Sequence, residues 1–454
     1  MNKKEININE EYSVIIVGAG PAGLSVATTI AKQIKNLKKE KEKENGKEKE
    51  NGKILIIDRE SHAGGILNQC IHTGFGLTQF KEELTGPEYA WRVFNEAKNL
   101  DVNIHLSTSV IRINKDKVIT TISGKNGIEK IKAKAVVLCT GCRERARGVI
   151  HIPGDRPAGV YTAGLAQKFI NIDGYLPGKR VVILGSGDIG LIMARRLTLQ
   201  GAKVLAVLEA NNFVGGLPRN VVQCLDDFAI PLYLSHTITE IIGKNRVEKI
   251  KVSRVDQNMR PINGTEFEIN CDTVLLSIGL IPENELAEMA EVELDPITNG
   301  SIVDENFMTN IPGIFSCGNA LHVHDLVDKL ALEAQVVGKK VVEYLFDFDK
   351  EKKDDECHLP NSLNISVTHD DFIRYILPKK ISGKNDVRFY FRVKKPLNDV
   401  TLKLNQFEKK FAYLQPNEMS SILIPSKYYN ERFNDNDNDN DKKAKEIKIW
   451  IKEN

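Results

Sequence analysis

No apolar run in the 454-residue chain approaches the roughly 18 residues a membrane helix needs, so no membrane span is expected. Neither sign of charge is in excess. The 63 basic and 61 acidic side chains leave a formal net charge of +2, which argues against nucleic acid or an acidic membrane as partner. Cysteine is sparse. Seven residues, scattered and odd in number, do not make a secreted disulfide framework and suit a reducing compartment such as the cytoplasm. The opening MNKKEININEEY mixes acids with lysines and lacks the apolar stretch of a secretory signal. No metal-ligand spacing and no hydrolase triad stands out, so no metal is expected.

Two segments lack apolar residues altogether: KEKENGKEKENG (41–52) and NDNDNDND (434–441). Neither can bury surface to offset its ordering entropy, and both are expected to be solvated, mobile loops. The chain as a whole is 41% hydrophobic, enough for two or three cores at this length.

What is present is glycine in patterns. YSVIIVGAGPAGLSVATTIAKQI reads as an apolar strand, a turn and a helix, with Gly18, Gly20 and Gly23 at G-x-G-x-x-G spacing and Pro21 and Ala22 between the last two. The first glycine permits the tight turn, the second lets backbone approach a pyrophosphate, and the third allows helix and strand to pack closely. The helix N-terminus then holds the negative charge. An acid about 20 residues on should take the ribose hydroxyls. Asp58, followed by Arg59, closes the strand KILIID, but it stands 40 residues after Gly18. Excising the lysine-glutamate insert, residues 35–52, reduces the gap to 22, which places that insert between the helix and the second strand.

KRVVILGSGDIGLIMARRLTLQGAKVLAVLEA repeats the design with Gly185, Ser186, Gly187, Asp188, Ile189 and Gly190, and Glu209 ends the next strand 24 residues after Gly185. A carboxylate there favours a free 2′-hydroxyl over a 2′-phosphate, hence NADH over NADPH. Arg195 and Arg196 follow on the helix and are read as a solvated face. Two such units imply two dinucleotides, and the natural pairing is FAD with NAD.

The order of motifs resembles the two-dinucleotide-binding flavoproteins, the pyridine nucleotide–disulfide oxidoreductase superfamily, over about residues 12–345. LCTG (138–141), with Thr140 and Gly141, is similar to the turn closing the first part of the FAD domain. CDTVLLSIGLIPEN (271–284), with Gly279, is similar to the return from the NAD domain. TNIPGIFSCGNA (309–320) is similar to the second FAD motif, with Gly318 and Asn319 at the ribityl and phosphate region. The family usually has Asp where this chain has Asn319. An amide still hydrogen-bonds a hydroxyl, and losing one charge-assisted bond is small beside the contacts of a buried dinucleotide. The resemblance implies an α/β protein with two Rossmann-like domains. Residues 1–150 and 285–350 would bind FAD, 151–284 NAD, and 355–454 would form a small β-rich domain from strands such as VRFYFRV, VTLKL and IKIWI.

In the disulfide reductases, a cysteine pair follows Gly-Gly or lies early in the NAD domain. Counting from Gly64-Gly65, Leu67 and His72 occupy the first pair of places, and YTAG replaces the second. The remaining C-x-x-C, Cys139 and Cys142, is either structural thiols or, alternatively, the redox pair of a disulfide reductase. GGILNQCIHTGFGL, CRERARG and AGVYTAGLAQ together are similar to a disulfide-lacking branch. It holds the NAD-linked subunits of amine, opine and hydrogen-cyanide-forming dehydrogenases and glycerol-3-phosphate-associated flavoproteins. That likeness implies a second flavoprotein subunit, or a small molecule, as electron acceptor or donor. The resemblance also places Gly65 and Cys70 near the flavin, and His324 just after the second FAD motif. Cys70 and His324 are therefore the candidate catalytic residues, as thiol intermediate and proton donor. The function expected is FAD-dependent NADH oxidoreduction. A non-catalytic nucleotide-binding subunit is the remaining alternative.

Overall fold

The computed structural model describes residues 10–43, 52–351, 365–429 and 446–453. The chain forms two compact units, Met1–Cys142 with Pro282–Asn454, and Arg143–Ile281.

The first unit opens with β1 (Glu10–Val17), whose last six residues are buried, as a central parallel strand requires. α1 (Pro21–Lys43) starts on proline, which the first helical position tolerates because its N–H would have no partner there. The helix runs through Lys43, into the insert of residues 35–52 placed between helix and strand and into the first residues of the expected 41–52 loop. Lysine and glutamate are good helix formers, and no glycine interrupts them before Gly46. Residues 44–51 and the whole Asn-Asp segment lie outside the described residues. β2 (Ile54–Ile57) follows. A capping box starts α2 (Gly86–Lys98): Glu88 N–H donates to the Thr85 hydroxyl, and Thr85 N–H donates to the Glu88 carboxylate. Next come β3 (Asn103–His105) and a meander of β4 (Thr108–Ile113), β5 (Val118–Ser123) and β6 (Gly127–Leu138). β6 is antiparallel to β5 in its first half and parallel to β1 in its second. β7 (Cys142–Glu144) then carries the chain out of the unit.

The second unit contains β8 (Val160–Thr162), α3 (Ala163–Asn171), β9 (Arg180–Leu184), α4 (Asp188–Leu199), β10 (Lys203–Glu209), α5 (Pro218–Cys224) and β11 (Leu232–Leu234). A second meander, β12 (His236–Ile242), β13 (Lys249–Arg254) and β14 (Phe267–Asn270), precedes β15 (Thr273–Leu276). Its main sheet is parallel, in the order β11-β10-β9-β15-β8.

β16 (Leu280–Pro282) returns the chain to the first unit, where α6 (Glu285–Met289), β17 (Ile314–Ser316) and α7 (Val327–Glu351) complete it. β17 pairs parallel to β6, giving a seven-stranded sheet in which β3, β2, β1 and β6 are neighbours in that order. Strand alternation divides β1 between two cores. Val14 and Ile16 pack with Ile30 of α1 and Val337 and Val341 of α7, while Ile15 and Val17 pack with Ile113, Ile119 and Ala287.

The C-terminal region is β-rich: β18 (Ile365–His369), β19 (Ile373–Leu377), β20 (Lys380–Ile381), β21 (Val387–Val393), β22 (Leu397–Leu404), β23 (Phe407–Leu414), β24 (Ser420–Ile424) and β25 (Glu446–Glu453). They form a five-stranded and a three-stranded sheet over one core containing Phe389, Phe391, Leu402 and Ile449. Tyr375, Leu377, Tyr390 and Met419 instead join the core of α1 and α7, so this region is built into the first unit rather than appended to it. No described helix is long and apolar enough to cross a membrane.

Candidate functional site

The first glycine turn is a close-packed frame around one open position. Gly18 has φ +112, and a Cβ there would stand 2.2 Å from the Cys139 carbonyl oxygen; one on Gly23 would stand 1.9 Å from the Gly18 carbonyl oxygen. These two sites admit only glycine. At Gly20 the corresponding Cβ would meet no atom within 4 Å. Two other glycines close in around it. A Cβ on Gly65 would lie 3.1 Å from the Gly20 Cα, and one on Gly318 would lie 2.8 Å from the Ala22 Cβ, beside Pro21 at the start of α1. Asp58, at the end of β2, accepts from Ala19 N–H (2.6 Å, Oδ2) and Glu60 N–H (2.8 Å, Oδ1). A carboxylate has about four acceptor positions, so two remain for ribose hydroxyls. Arg59 is exposed and 3.8 Å from Glu60. A glycine-framed space at a helix N-terminus, with an acid holding unused lone pairs, fits the pyrophosphate and ribose of FAD.

The second motif is held from within the first unit. Asn319 accepts His324 N–H through Oδ1 (2.9 Å) and donates from Nδ2 to Cys142 Sγ (3.5 Å), so its side chain sets the loop that follows it. Thr140 Oγ1 donates to the Glu283 carbonyl (2.6 Å), beside Gly141 at φ +75. Behind this loop lies Glu333 of α7, completely buried, a residue the sequence did not single out. Its Oε1 accepts Gly318 N–H (3.0 Å), and its Oε2 lies 2.6 Å from His322 Nε2 and 3.3 Å from His324 Nε2. Burial opposes ionisation of Glu333, but His324 and His322 outweigh it and hold the carboxyl well below the usual range. Burial pushes the His322 imidazole down, against the pull of Glu333. His324 turns its ring into this cluster, and its backbone N–H is held by Asn319. The sequence signal was a lone acid in the apolar run LALEAQVV, nine residues after the H-x-H.

In the second unit, Gly185 has φ +101, and a Cβ there would stand 2.0 Å from the Ser277 carbonyl oxygen; one on Gly190 would lie 2.7 Å from the Gly185 carbonyl oxygen. Beside Gly187 the nearest atom to such a Cβ is 3.6 Å away. This turn matches the first in form and fits a second dinucleotide. Its acid differs. Glu209 is buried and accepts four hydrogen bonds: Ser186 N–H (2.9 Å) and Oγ–H (2.6 Å) on Oε2, Asn211 N–H (2.9 Å) and Nδ2–H (2.7 Å) on Oε1. Asp188, which starts α4 and leads into Ile189, accepts Leu217 N–H (2.8 Å) and Asn220 Nδ2–H (2.6 Å). Arg195 stacks over Phe228 and Arg196 donates to Asn171. Gly279, at φ +98, offers its carbonyl to Arg145 N–H (3.0 Å).

None of the six described cysteines is in a disulfide. Cys139 is buried in the same core as Cys317, which stands next in line across the β6–β17 pair. Cys70 donates to the Ile66 carbonyl (3.3 Å), and burial pushes its pKa up to about 12. It is a thiol at neutral pH, and the thiolate is the reactive form.

Two sheets, each with a parallel strand–glycine turn–helix–strand unit and a terminal acid, define a pyridine nucleotide-dependent flavoprotein oxidoreductase. The family profile described as pyridine nucleotide-disulphide oxidoreductase matches residues 12–335, and the chain belongs to that family. The family binds FAD and NAD(P). The chain is 24% identical to a ferredoxin–NADP reductase of Picrophilus torridus, over 69% of this chain and 87% of that one. It is 25% identical to a thioredoxin reductase of Rickettsia prowazekii, over 72% and 94%. The thioredoxin reductase structure from T. acidophilum shares the fold, with a TM-score of 0.57 at 24% identity, over 75% of this chain and 99% of that one.

Proposed function

We propose that the chain is a FAD-dependent NADH oxidoreductase that passes hydride between NAD(H) and flavin and exchanges electrons with a second flavoprotein subunit or a small acceptor. It would belong to the disulfide-lacking branch near the amine, opine and hydrogen-cyanide dehydrogenase subunits. The observation that carries the reading is the open position at Gly20, framed by Gly18, Gly23, Gly65 and Gly318 and faced by the unused lone pairs of Asp58. Bound FAD supplies a two-electron hydride acceptor that can release electrons singly. The protein supplies position: Asn319, Thr140 and Glu333 fix the loops around that space, and hydride transfer itself needs alignment rather than an acid or base.

The preference for NADH rests on Glu209. Its four bonds leave no acceptor position for a ribose hydroxyl, so it works by shaping the Ser186–Asn211 loop and by fixing a negative charge that a 2′-phosphate would meet. The arginines of α4, engaged with Phe228 and Asn171, do not offset that charge. Leu67 and His72 in the cysteine places, and the burial of Cys139 against Cys317, favour acceptors other than a disulfide exchanged at Cys139 and Cys142.

Purified full-length protein should carry FAD or take it up, and with NADH should reduce quinones, dyes or a co-purifying flavoprotein. The Cys139→Ser/Cys142→Ser variant should keep that turnover. Failure to bind FAD would overturn the reading, and loss of all turnover in the folded double variant would restore the disulfide alternative.

A further inference from the structure

The cluster of His322, His324 and Glu333 holds more donor capacity than the loop it supports requires. The three side chains are 1%, 2% and 0% exposed, and each brings one ligand atom within 4.8 Å of the other two. His324 Nδ1 lies 3.0 Å from the His322 carbonyl oxygen. A carbonyl only accepts, so Nδ1 donates to it, and Nε2 is the ring nitrogen aimed at Glu333. That nitrogen is buried without a hydrogen-bond partner, although Glu333 Oε2 is 3.3 Å away. A buried nitrogen and a buried carboxylate oxygen at this separation are both satisfied by a cation held between them.

We propose that His322 Nε2, His324 Nε2 and Glu333 Oε2 form a binding site for a divalent first-row transition ion of the zinc class. Two imidazoles and one carboxylate are a donor set such ions take. The 3.3 Å separation of His324 Nε2 and Glu333 Oε2 is close to the about 3.4 Å between neighbouring donors around a tetrahedral ion with bonds of about 2.0–2.1 Å. His322 Nε2, at 2.6 Å from the same oxygen, now donates its proton to it and must open by less than about 1 Å. On binding, that proton leaves Nε2, and the unpartnered His322 Nδ1 can take it up, so the ring stays neutral. The supporting contacts are in place. The His322 carbonyl orients His324, and Gly318 N–H holds the second oxygen of Glu333, as outer-shell partners orient metal ligands. A fourth position is left for water or another ligand. The ion would tie α7 to the Gly318–His324 loop, whatever nucleotide that loop meets.

The test uses tag-free full-length protein, stripped with chelator and titrated with Zn²⁺ by calorimetry, with bound metal counted by mass spectrometry after desalting. Stoichiometric zinc is expected, with a higher melting temperature as zinc is added. His324→Ala should weaken binding at least about tenfold, and His236→Ala, at a histidine in the second unit, should not. Folded wild-type protein that shows neither a binding heat nor retained zinc would overturn the site, even if the His324 variant fails to fold. Equal affinity in the folded His324 variant would do the same. Neither readout requires flavin or nicotinamide, so a failure here leaves the redox assignment standing.

Discussion

Arg392 on β21 forms a buried ion pair with Asp325, six residues after Asn319. The guanidinium also donates to the Val323 carbonyl (3.0 Å), the Pro416 carbonyl (3.2 Å) and the Tyr375 hydroxyl (3.2 Å), while the second oxygen of Asp325 accepts Met419 N–H (2.6 Å). The C-terminal sheets therefore clamp the loop that carries the second dinucleotide motif. Removing Arg392 leaves Asp325 buried and unpaired, a loss of about 3–5 kcal/mol. Arg392→Ala should lower the urea midpoint accordingly and weaken FAD retention with it. A loss below about 1 kcal/mol, typical of exposed pairs, would show that the clamp does not hold the loop.

Two glycines of one turn should fail in different ways. Gly20→Ala places its methyl where no protein atom lies within 4 Å, so the protein should fold with an unchanged melting temperature and lose FAD. Gly18→Ala meets the Cys139 carbonyl and a backbone at φ +112. The strained backbone alone costs about 1–3 kcal/mol, and this variant should lose stability before cofactor binding can be measured. Melting curves with and without added FAD separate the two. Full FAD binding by Gly20→Ala would mean that the dinucleotide lies elsewhere.

The acids ending β2 and β10 share a position in sequence and differ in state. Glu209→Ala strands Ser186 N–H and Asn211 N–H, each unsatisfied group costing about 1–3 kcal/mol if it stays buried. Stability, the NADH KM and the preference for NADH over NADPH should all fall together. A variant of unchanged melting temperature that alters only the nucleotide ratio would indicate a direct ribose contact instead.

Cys70 should be unreactive at neutral pH. With a pKa raised to about 12 by burial, its thiolate fraction, and so its alkylation rate, should rise about tenfold per pH unit from pH 8 toward 12. Peptide mapping after iodoacetamide treatment follows it residue by residue. Fast labelling of Cys70 at pH 7.5 in folded protein would restore it as a candidate nucleophile.

The glycine turns, the strands that precede them and the β-rich character of the C-terminal region could be read from sequence because each is a local pattern: glycine spacing, an apolar run, alternation of period two. The placing of Asp58 needed the insert to be recognised, and even so α1 continues to Lys43, because lysine and glutamate carry no local signal to stop a helix. What escaped was contact across long separations. Glu333 reaches the second motif from α7, and Arg392 reaches it from β21. Each is an ordinary charged residue in its own segment and takes its meaning from burial beside a distant partner. The state of Glu209 was hidden for the same reason, since its position was legible but the bonds that fill it were not.

The most direct test is anaerobic stopped-flow mixing of the FAD-loaded protein with NADH and, separately, with NADPH, followed by flavin absorbance. The account predicts that NADH bleaches the flavin, and does so faster than NADPH. A bound flavin that neither nucleotide reduces would contradict it.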